Sequence, residues 1–381
     1  MDWREILKTN VTHAGELEDI MHLHGEHKQE VERILERFPM SVPRYYLSLI
    51  DWNNPKDPIR RMCIPSLEEN DMTGKFDTSG EAENTRLPGL QHKYGETALI
   101  LSTHRCAMYC RHCFRKRLVG ISEEETADNF EKAADYIREH KEISNVLISG
   151  GDALLNSNEA LEHFLDVLSS MEQLDFLRIG TRTPVTFPFR ITLDPELVEL
   201  LKRYDRKKKI YVVTQFNHSA EITEESEKAV RMLLDAGISV KNQTVLLRGV
   251  NDDPDVLGRL LKGLTAIGVI PYYIFQCRPV SGVGTHFQVP ILKGAEIVER
   301  AKQMQNGFGK GFKYVMSHRT GKIEILGAWE DGRMLFKYHQ AKYDADRGRI
   351  FAVKLGENQT WLPDGLCGAG GTLLTGLFDT S

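Results

Sequence analysis

The chain has 381 residues, of which 41% are hydrophobic and 27% are charged, and this composition is typical of a folded globular protein. Lys and Arg number 49 against 54 Asp and Glu, so the formal net charge is −5. Nucleic acid is therefore not expected as a partner, because phosphate binding normally needs a basic face. Six cysteines are too few for a disulfide scaffold in a chain of this length. The first residues carry no apolar signal peptide, and no run approaches the ~20 apolar residues of a membrane span, so we expect a cytoplasmic protein without a membrane partner.

Residues 1–95 are predicted to form an N-terminal extension of helices and irregular connections. Apolar residues at helical spacing between Glu26 and Phe38, followed by Pro39, predict one helix there. The stretch 55–89 is polar with scattered glycine and proline, which indicates a loop that wraps around a larger body.

Beyond residue 96 the pattern alternates between strands and helices. Near-continuous apolar runs are typical of parallel strands buried on both faces, and here they occupy Thr97–Ser102, Asn145–Ser149, Phe176–Gly180, Ile210–Thr214, Ser239–Leu247 and Ile270–Cys277. Phe312–Met316 is a candidate for one further strand. The alternation predicts an α/β fold with a partial or full (βα) barrel over residues 96–310. A Gly-rich C-terminal segment, 311–381, follows, and the pattern does not indicate its structure.

Four short sequences predict the starts of helices in this region. Two of them resemble capping boxes, in which a side chain and a glutamate three residues later satisfy free backbone amides: Ser122 with Glu125, and Asn156 with Glu159. Two others place a capping carboxylate before a proline suited to the first helical turn: Asp194-Pro195 and Asp253-Pro254.

Three cysteines lie within eight residues directly after the first predicted strand of the barrel, at Cys106, Cys110 and Cys113. Grouped thiolates of this kind hold zinc or an iron–sulfur cluster. A structural zinc site needs four ligands, so His112 would have to complete it. A 4Fe–4S cluster held by three thiolates instead leaves one iron open for a substrate or cofactor. Both interpretations remain open from the residues alone.

The CxxxCxxC spacing at this point of a βα barrel resembles the signature of the radical S-adenosylmethionine (SAM) enzymes. The resemblance implies that Cys106, Cys110 and Cys113 hold a 4Fe–4S cluster whose open iron binds SAM. It also implies that reductive cleavage of SAM, with an electron from a donor such as flavodoxin or ferredoxin, releases a 5′-deoxyadenosyl radical. The cofactors then carry the difficult chemistry, while the protein positions them.

The flanking residues resemble more closely the lysine 2,3-aminomutases, over most of the chain up to about residue 310. The segments that carry this likeness are 43–51, 103–117, 149–154, 182–185, 216–218, 242–243, 246–252 and 271–277. The resemblance implies a third cofactor, pyridoxal phosphate, and migration of an amino group from C2 to C3 of an amino acid. It also implies a homo-oligomer, although the C-terminal segment differs from that of the family. Zinc is not expected, because the C-terminal region has only Cys367 where the family has a group of cysteines.

Several residues at predicted strand ends are candidates for the SAM pocket. The resemblance assigns to it the turn Ser149, Gly150, Gly151 and Asp152, and glycines let a backbone approach a ligand closely. The residues that end other strands, Arg182, Asn217, His218 and Gln243, are candidates for the same pocket. The plain alternatives are an ordinary Gly-Gly turn and a histidine without a ligand.

Two arginines are candidates for binding the substrate. Arg115 matches the arginine that holds the substrate carboxylate in the family, and a guanidinium can grip a carboxylate with two parallel hydrogen bonds. The alternative is that Arg115 belongs to a solvated basic run. Lysine-specific relatives carry an aspartate where this chain has Arg278, and a second aspartate, expected near Met316 or Ser317, is also absent. A lysine ammonium would then lack a partner, so an acidic or neutral amino acid, glutamate being the simplest, fits better.

The site for pyridoxal phosphate is the point at which the chain departs most from the family. Lys322 aligns with the lysine that binds the cofactor covalently, and its alternative is an exposed lysine at a turn. Two phosphate-binding arginines of the family appear as Lys93 and Thr97, whereas the tyrosine between them is kept as Tyr94. Lys93 can contact a phosphate as a point charge, but Thr97 supplies no charge.

Three functions are consistent with the sequence. The first is a radical SAM isomerase that moves an amino group in an amino acid other than lysine, with pyridoxal phosphate on Lys322. The second is a radical SAM enzyme without pyridoxal phosphate that performs elimination, epimerisation or another rearrangement. The third is a protein that binds a metal or senses redox state without being an enzyme.

Overall fold

The structure is a computed structural model that describes residues 2–18, 24–124, 126 and 130–366. Its sheet has 12 strands in sequential order. They are β1 (Thr85–Leu87), β2 (Leu90–Tyr94), β3 (Thr97–Leu101), β4 (Asn145–Ser149), β5 (Phe176–Gly180), β6 (Lys209–Thr214), β7 (Ser239–Leu246), β8 (Ile270–Gln276), β9 (Lys313–His318), β10 (Gly321–Ala328), β11 (Met334–Ala341) and β12 (Ile350–Val353).

The strands from β3 to β9 pair in parallel, which confirms the six predicted strands and the seventh at residues 312–316. The outer strands pair antiparallel at both ends of the sheet. The sheet does not close, because β1 and β12 are its two edges. It curls far enough that Gln340 on β11 donates a 3.1 Å hydrogen bond to Glu96, directly before β3. The α/β fold with a partial barrel is therefore confirmed, and a full barrel is not formed.

Helices connect the parallel strands and flank the sheet. Those of eight residues or more are α1 (Gly25–Arg37), α2 (Phe130–Glu139), α3 (Asn158–Ser169), α4 (Pro195–Asp205), α5 (Glu224–Asp235), α6 (Pro254–Ala266) and α7 (Ile291–Gln303). Shorter α-helices occupy Trp3–Leu7, Arg44–Leu47, Pro58–Cys63, Glu81–Asn84, Thr183–Thr186, Phe189–Thr192 and Gly284–Phe287. The helix predicted between Glu26 and Phe38 is α1.

The predicted helix starts are confirmed in two cases. Asp194 and Asp253 accept hydrogen bonds from backbone amides at the starts of α4 and α6, each followed by proline in the first turn. The prediction at Asn156 is wrong, because Ser157 caps α3 through the amide of Ala160 while Asn156 binds elsewhere. The prediction at Ser122 depends on Glu125, which lies outside the described residues.

Two regions contain strands that the sequence pattern did not indicate. The N-terminal 95 residues, predicted as helices and irregular connections, also form β1 and β2. The C-terminal segment forms the antiparallel strands β10, β11 and β12. The division into 1–95, 96–310 and 311–381 stays a prediction, and one sheet runs through both of its boundaries.

The core lies between the sheet and the helices outside it. Ile148, Ile179 and Val212 on successive parallel strands are fully buried on that side. The opposite, concave face of the sheet carries Arg178 on β5 and Lys241 on β7, which are partly buried. The inner face thus carries charged side chains beside apolar ones such as Leu99 and Leu147, and a site can form there. Among the described residues, no helix is long and apolar enough to cross a membrane.

Candidate active site

The three grouped cysteines lie on the loop that follows β3, and all three are partly buried. Burial raises the pKa of the Cys106 thiol, and the nearby Asp152, Cys113 and Cys110 raise it further. Backbone hydrogen bonds fix the loop to the N-terminal region: the Tyr109 amide donates to Ser41 and the Arg111 amide donates to Met62. The structure therefore brings the three thiols together in one anchored loop.

A buried cluster of charged side chains, formed by Glu69, Arg111 and Lys116, also anchors this loop. The carboxylate of Glu69 is fully buried and accepts hydrogen bonds from Arg111 Nε at 2.9 Å and Nη2 at 2.6 Å, and from Lys116 Nζ at 2.5 Å. Burial alone would raise the pKa of Glu69, but the two cations outweigh it and hold this pKa below its usual value. Arg111 and Lys116 flank Cys113, so Glu69 fixes the backbone on both sides of that cysteine. The sequence offered no pattern that singled out Glu69.

The Gly-Gly turn predicted for the SAM pocket packs directly against the cysteine loop. A Cβ on Gly150 would lie 2.3 Å from the Thr103 carbonyl oxygen, and one on Gly151 would lie 2.3 Å from that of Arg105. The amides of Gly151 and Asp152 donate to these same two carbonyls, at 2.6 and 2.8 Å. Glycine is thus required at both positions because two backbone segments meet here. The sequence analysis gave a different reason, the close approach of a ligand, and the two reasons are compatible.

Asp152 ties this turn to the end of β5. Its carboxylate accepts hydrogen bonds from the Thr181 hydroxyl at 2.6 Å and from the backbone amide of Arg182 at 2.7 Å. Burial raises the pKa of Asp152, although these hydrogen bonds act in the opposite direction. Ser149 ends β4 beside the turn, and its Oγ lies 3.5 Å from Arg115.

The remaining candidates for the SAM pocket lie nearby in three different settings. Asn217 is fully buried, and its side chain accepts from the Val245 amide and lies 3.2 Å from His112 Nε2. His218 begins a short 3-10 helix and its Nδ1 accepts from the Ala220 amide. Gln243 lies within β7 and is partly buried. Their binding to SAM stays a prediction.

Arg182, also predicted for the SAM pocket, directs its guanidinium toward the cysteine loop. Its Nη1 lies 2.8 Å from Cys110 Sγ, and its Nη2 donates to Glu221 at 2.5 Å. Its Nε donates to the Gln215 carbonyl at 2.9 Å. All three nitrogens therefore have partners within the chain, and one of these partners is a predicted cluster ligand.

Arg115 is buried and paired with an acid that the sequence analysis missed. Its Nε donates to Glu81 at 3.2 Å, and its Nη1 donates to the Gly150 carbonyl at 3.2 Å. The other oxygen of Glu81 pairs with Arg117 at 2.7 Å. Burial alone would raise the pKa of Glu81, but the guanidinium groups of Arg115 and Arg117 outweigh it and lower this pKa. Arg115 thus belongs to a buried network, and the solvated basic run considered as its alternative is not formed.

Arg278 reaches into the same region from the end of β8. Its Nη1 donates to Ser79 Oγ at 2.8 Å and its Nη2 donates to Ser317 Oγ at 2.9 Å. Its Cζ lies 4.1 Å from the centroid of the Phe114 ring, which also has the Cζ of Arg115 at 4.6 Å. The two candidate substrate arginines therefore share one aromatic neighbour. Both described hydrogen bonds of Arg278 go to neutral hydroxyls, so its charge has no directly bonded anion among these contacts.

Lys93 and Tyr94 lie next to this pair. The Lys93 ammonium donates to two backbone carbonyls, those of Ser79 at 3.1 Å and His318 at 2.6 Å. Burial, with a further contribution from Arg278, lowers the pKa of Lys93 to about 7. Burial also raises the pKa of the Tyr94 hydroxyl. Thr97, at the second predicted phosphate position, instead bonds to Asn145 at the start of β4.

Lys322 lies on β10 directly opposite Ser317 on β9. Its Nζ donates to Gln340 at 2.9 Å and lies 4.3 Å from the centroid of the Tyr273 ring. Burial lowers the pKa of Lys322 to about 7, and the nearby Arg178 lowers it further. Lys322 is partly buried within the concave side of the sheet, so the alternative of an exposed lysine at a turn does not hold.

The side chains of this region suit an iron–sulfur cluster at the three cysteines and a phosphate group near Lys322. No three His, Cys, Asp or Glu side chains in the described ranges are arranged to hold one metal ion. An iron–sulfur cluster makes a different demand, because thiolates on one loop bind different irons of the same cluster. The negative charge of such a cluster would lie near Arg182. It would also lie near the Glu69 network, in which two cations, Arg111 and Lys116, share one carboxylate and leave a net positive charge. Three cations lie near Lys322 against two acids: Lys93, Arg178 and Arg278 against Glu81 and Glu96. The Nε of Arg178 is buried and has no hydrogen-bond partner among the described residues. This net positive charge and the unpaired donor suit an anionic phosphate.

Comparison with known proteins agrees with this geometry. Residues 100–260 match the model of the Radical SAM superfamily. An L-lysine 2,3-aminomutase of Clostridium subterminale is 42% identical over 310 residues, which is 81% of this chain and 73% of that protein. An L-lysine 2,3-aminomutase of Methanococcus maripaludis is 37% identical and covers 89% of this chain and 79% of its own length. A glutamate 2,3-aminomutase of Clostridioides difficile is 37% identical and covers 80% of this chain and 72% of its own length.

The identities and coverages confirm the predicted resemblance and the prediction of an enzyme. Membership of the superfamily implies a 4Fe–4S cluster and SAM as cofactors. The relatives include enzymes named for two different amino acids, so they do not define the substrate of this chain. The chain is a member of the lysine 2,3-aminomutase family and an isomerase of the radical SAM superfamily.

Proposed function

We propose that this enzyme moves the amino group of an acidic amino acid, with L-glutamate as the simplest substrate, from C2 to C3. The observation that carries the proposal is Arg278, whose two described hydrogen-bond partners, Ser79 and Ser317, are neutral hydroxyls. A guanidinium in such a setting favours an anionic ligand, because a carboxylate would bind it directly through strong charged hydrogen bonds, whereas the nearby Glu81 is already paired with Arg115 and Arg117. A lysine ammonium at the same place would meet a like charge.

Arg115 is proposed to hold the carboxylate next to the reacting carbon. Its Cζ lies 4.6 Å from the centroid of the Phe114 ring, and that of Arg278 lies 4.1 Å from the same centroid, so a small molecule beside that ring could reach both guanidinium groups. Glu81 fixes the Nε edge of Arg115, and the Gly150 carbonyl fixes its Nη1. Such a doubly held guanidinium positions the substrate with little loss of freedom on binding.

We propose that Cys106, Cys110 and Cys113 hold the cluster, that the turn Ser149–Asp152 borders SAM, and that Lys322 holds pyridoxal phosphate. Together these groups supply a 5′-deoxyadenosyl radical for hydrogen abstraction and a carrier for the migrating nitrogen. Lys322 is suited to its role because a pKa of about 7 leaves much of the amine neutral, and a neutral amine is the nucleophilic form. Lys93, Arg178 and Tyr94 are the proposed neighbours of the phosphate.

Asn217, His218 and Gln243 are retained as proposed residues of the SAM pocket, because the elements that carry them follow or form neighbouring parallel strands. The proposed electron donor is a flavodoxin or ferredoxin in the cytoplasm, since the cluster needs one electron from outside. A homo-oligomer is proposed from the family resemblance. Each of these proposals can be tested separately, by SAM binding, by reduction of the cluster with the purified donor and by the mass of the protein in solution.

The decisive experiment uses anaerobically purified enzyme with its cluster rebuilt, supplied with pyridoxal phosphate, SAM and dithionite. L-glutamate, L-alanine and L-lysine are offered separately, and the β-amino acid products, which have the same mass as their substrates, are identified by chromatography with mass spectrometry against standards. We expect the highest kcat/KM with L-glutamate and no detectable product with L-lysine. A higher kcat/KM with L-lysine would overturn the assignment of an acidic substrate.

A second function remains a candidate because Lys93 is bound to two carbonyls and Thr97 bonds to Asn145, which leaves fewer groups for a phosphate than the family has. This would be a radical SAM rearrangement, elimination or epimerisation without pyridoxal phosphate. Borohydride reduction in the presence of pyridoxal phosphate separates the two. A pyridoxyl group on Lys322 supports the first function, and its absence from enzyme that still cleaves SAM supports the second.

A further inference from the structure

The contact between Arg182 and Cys110 suggests a role that differs from binding SAM. Arg182 extends from the end of β5, and its Nη1 lies 2.8 Å from Cys110 Sγ. Hydrogen bonds to the sulfurs of an iron–sulfur cluster, together with local charge and solvent exposure, determine its reduction potential. A donor on a ligating sulfur stabilises the reduced state more than the oxidised state, because the reduced cluster carries one more negative charge.

Arg182 is held in this orientation by a buried acid. Glu221 is fully buried and accepts from Arg182 Nη2 at 2.5 Å and from the Tyr46 hydroxyl at 2.6 Å. It also accepts from the backbone amides of Asn217 at 2.6 Å and His218 at 3.0 Å, which follow β6. Glu221 is therefore fixed by the backbone, and it fixes the guanidinium in turn.

The backbone of Arg182 is fixed as well. Its amide donates to Asp152 at 2.7 Å, and its Nε donates to the Gln215 carbonyl at 2.9 Å. The guanidinium itself has no described contact with the turn Ser149–Asp152, which is the proposed SAM border. Both ends of the side chain are thus anchored, and its Nη1 is directed at one of the three thiols.

We infer that Arg182, positioned by Glu221, sets the reduction potential of the cluster through its hydrogen bond to Cys110. The inference rests on the cluster proposed for the three cysteines. Arg182 raises the potential, and Glu221 opposes part of this effect because its negative charge lies against the same guanidinium. Removing the arginine should therefore make the cluster harder to reduce, and removing the acid should make it easier.

The test measures the midpoint potential of the rebuilt cluster by a dithionite titration followed by electron paramagnetic resonance, in the absence of SAM. We expect Arg182→Gln to lower the equilibrium constant for one-electron reduction by about tenfold, which corresponds to 59 mV. We expect Glu221→Gln to shift the potential in the opposite direction. Arg203→Gln is the matched control, since it removes an equal charge and breaks an ion pair with Glu162 on the surface. It should leave the potential unchanged.

The iron and sulfide content of the unaltered enzyme separates the inference from the proposal beneath it. If the unaltered enzyme takes up no cluster, the proposed cluster site is wrong. If Arg182→Gln holds a full cluster with unchanged potential and spectrum, the inference is overturned, and loss of SAM binding in that variant would return Arg182 to the SAM pocket. If Arg182→Gln takes up no cluster, Glu221→Gln decides, because an unchanged potential in that variant would also overturn the inference.

Discussion

Arg278 donates a 2.9 Å hydrogen bond to Ser317, which joins the ends of the neighbouring parallel strands β8 and β9. The second aspartate of the lysine-specific pattern is expected near Met316 or Ser317 and is absent from this chain. Met316 is fully buried among apolar side chains, whereas Ser317 faces Arg278. The two departures from the lysine-specific pattern, Arg278 and Ser317, are therefore in contact with each other. Together they form one wall of the candidate site, with a cation and a hydroxyl in place of two anions. Lys322 lies opposite Ser317 on β10, so this wall borders the amine proposed to hold pyridoxal phosphate.

The first prediction concerns Arg278 and the choice of substrate. Arg278→Gln removes a charged hydrogen bond, which contributes about 1.5–3 kcal/mol, so KM for L-glutamate should rise roughly 10- to 100-fold. Steady-state kinetics with L-glutamate and L-alanine measure the effect. L-alanine has no second carboxylate, so its kcat/KM should change little. An equal loss with both substrates would indicate that Arg278 only supports the fold.

The second prediction concerns the pH dependence of Lys322. Because burial lowers its pKa to about 7, the amine is neutral above that pH, whereas an ordinary lysine becomes neutral only above about 10.5. The fraction of enzyme that borohydride traps with pyridoxal phosphate on Lys322 should rise with pH and reach half its maximum near pH 7. Peptide mass spectrometry measures it. Lys8, which is exposed and whose pKa is raised by its hydrogen bond to Glu5, is the internal control and should be labelled appreciably only at much higher pH.

The third prediction concerns the stability of the cysteine loop at low pH. The pKa of Glu69 is lowered in the folded state, so its contribution to stability is complete above its unfolded value of about 4.5 and is lost as the pH falls through the folded value. Glu69→Gln leaves the buried Arg111 and Lys116 without their anion and should lower the free energy of unfolding by about 3–5 kcal/mol at pH 7.

Urea denaturation at pH 7 and at pH 4 checks this third prediction. The exposed pair of Glu162 with Arg203 supplies the control, because Glu162→Gln should change the free energy of unfolding only slightly. A Glu69→Gln variant as stable as the control would show that the Glu69 network contributes nothing net to the fold.

The fourth prediction concerns Gly151, where two backbones meet. A Cβ there would lie 2.3 Å from the Arg105 carbonyl oxygen, so Gly151→Ala must push the turn away from the cysteine loop. We expect a lower melting temperature and less iron bound after cluster rebuilding. Gly307→Ala is the control, because a Cβ at Gly307 meets nothing within 4 Å. Full iron content in Gly151→Ala would contradict the role given to this contact.

The sequence by itself determined the arrangement of the barrel. The apolar runs from Thr97 onward predicted β3 to β8 within one or two residues, because parallel strands covered by helices must be apolar on at least that side. The cysteine spacing also identified its loop, since local chemistry is written in consecutive residues. The antiparallel strands β1, β2 and β10 to β12 were missed because they mix polar and apolar residues, and their pairing depends on neighbours far along the chain.

Only the tertiary structure decided which side chains meet. Glu81 was invisible as a partner of Arg115 because 34 positions separate them, and no local pattern marks an acid that pairs across such a distance. Glu221 stands three residues after His218 in a capping arrangement, which was a signal for a turn but not for its contact with Arg182. The direction of Arg182 toward Cys110 and that of Arg278 toward Ser317 likewise follow from how the strand ends converge. Sequence determines the elements through short-range pattern, whereas the charges that pair inside the site are selected by the packing that brings those elements together.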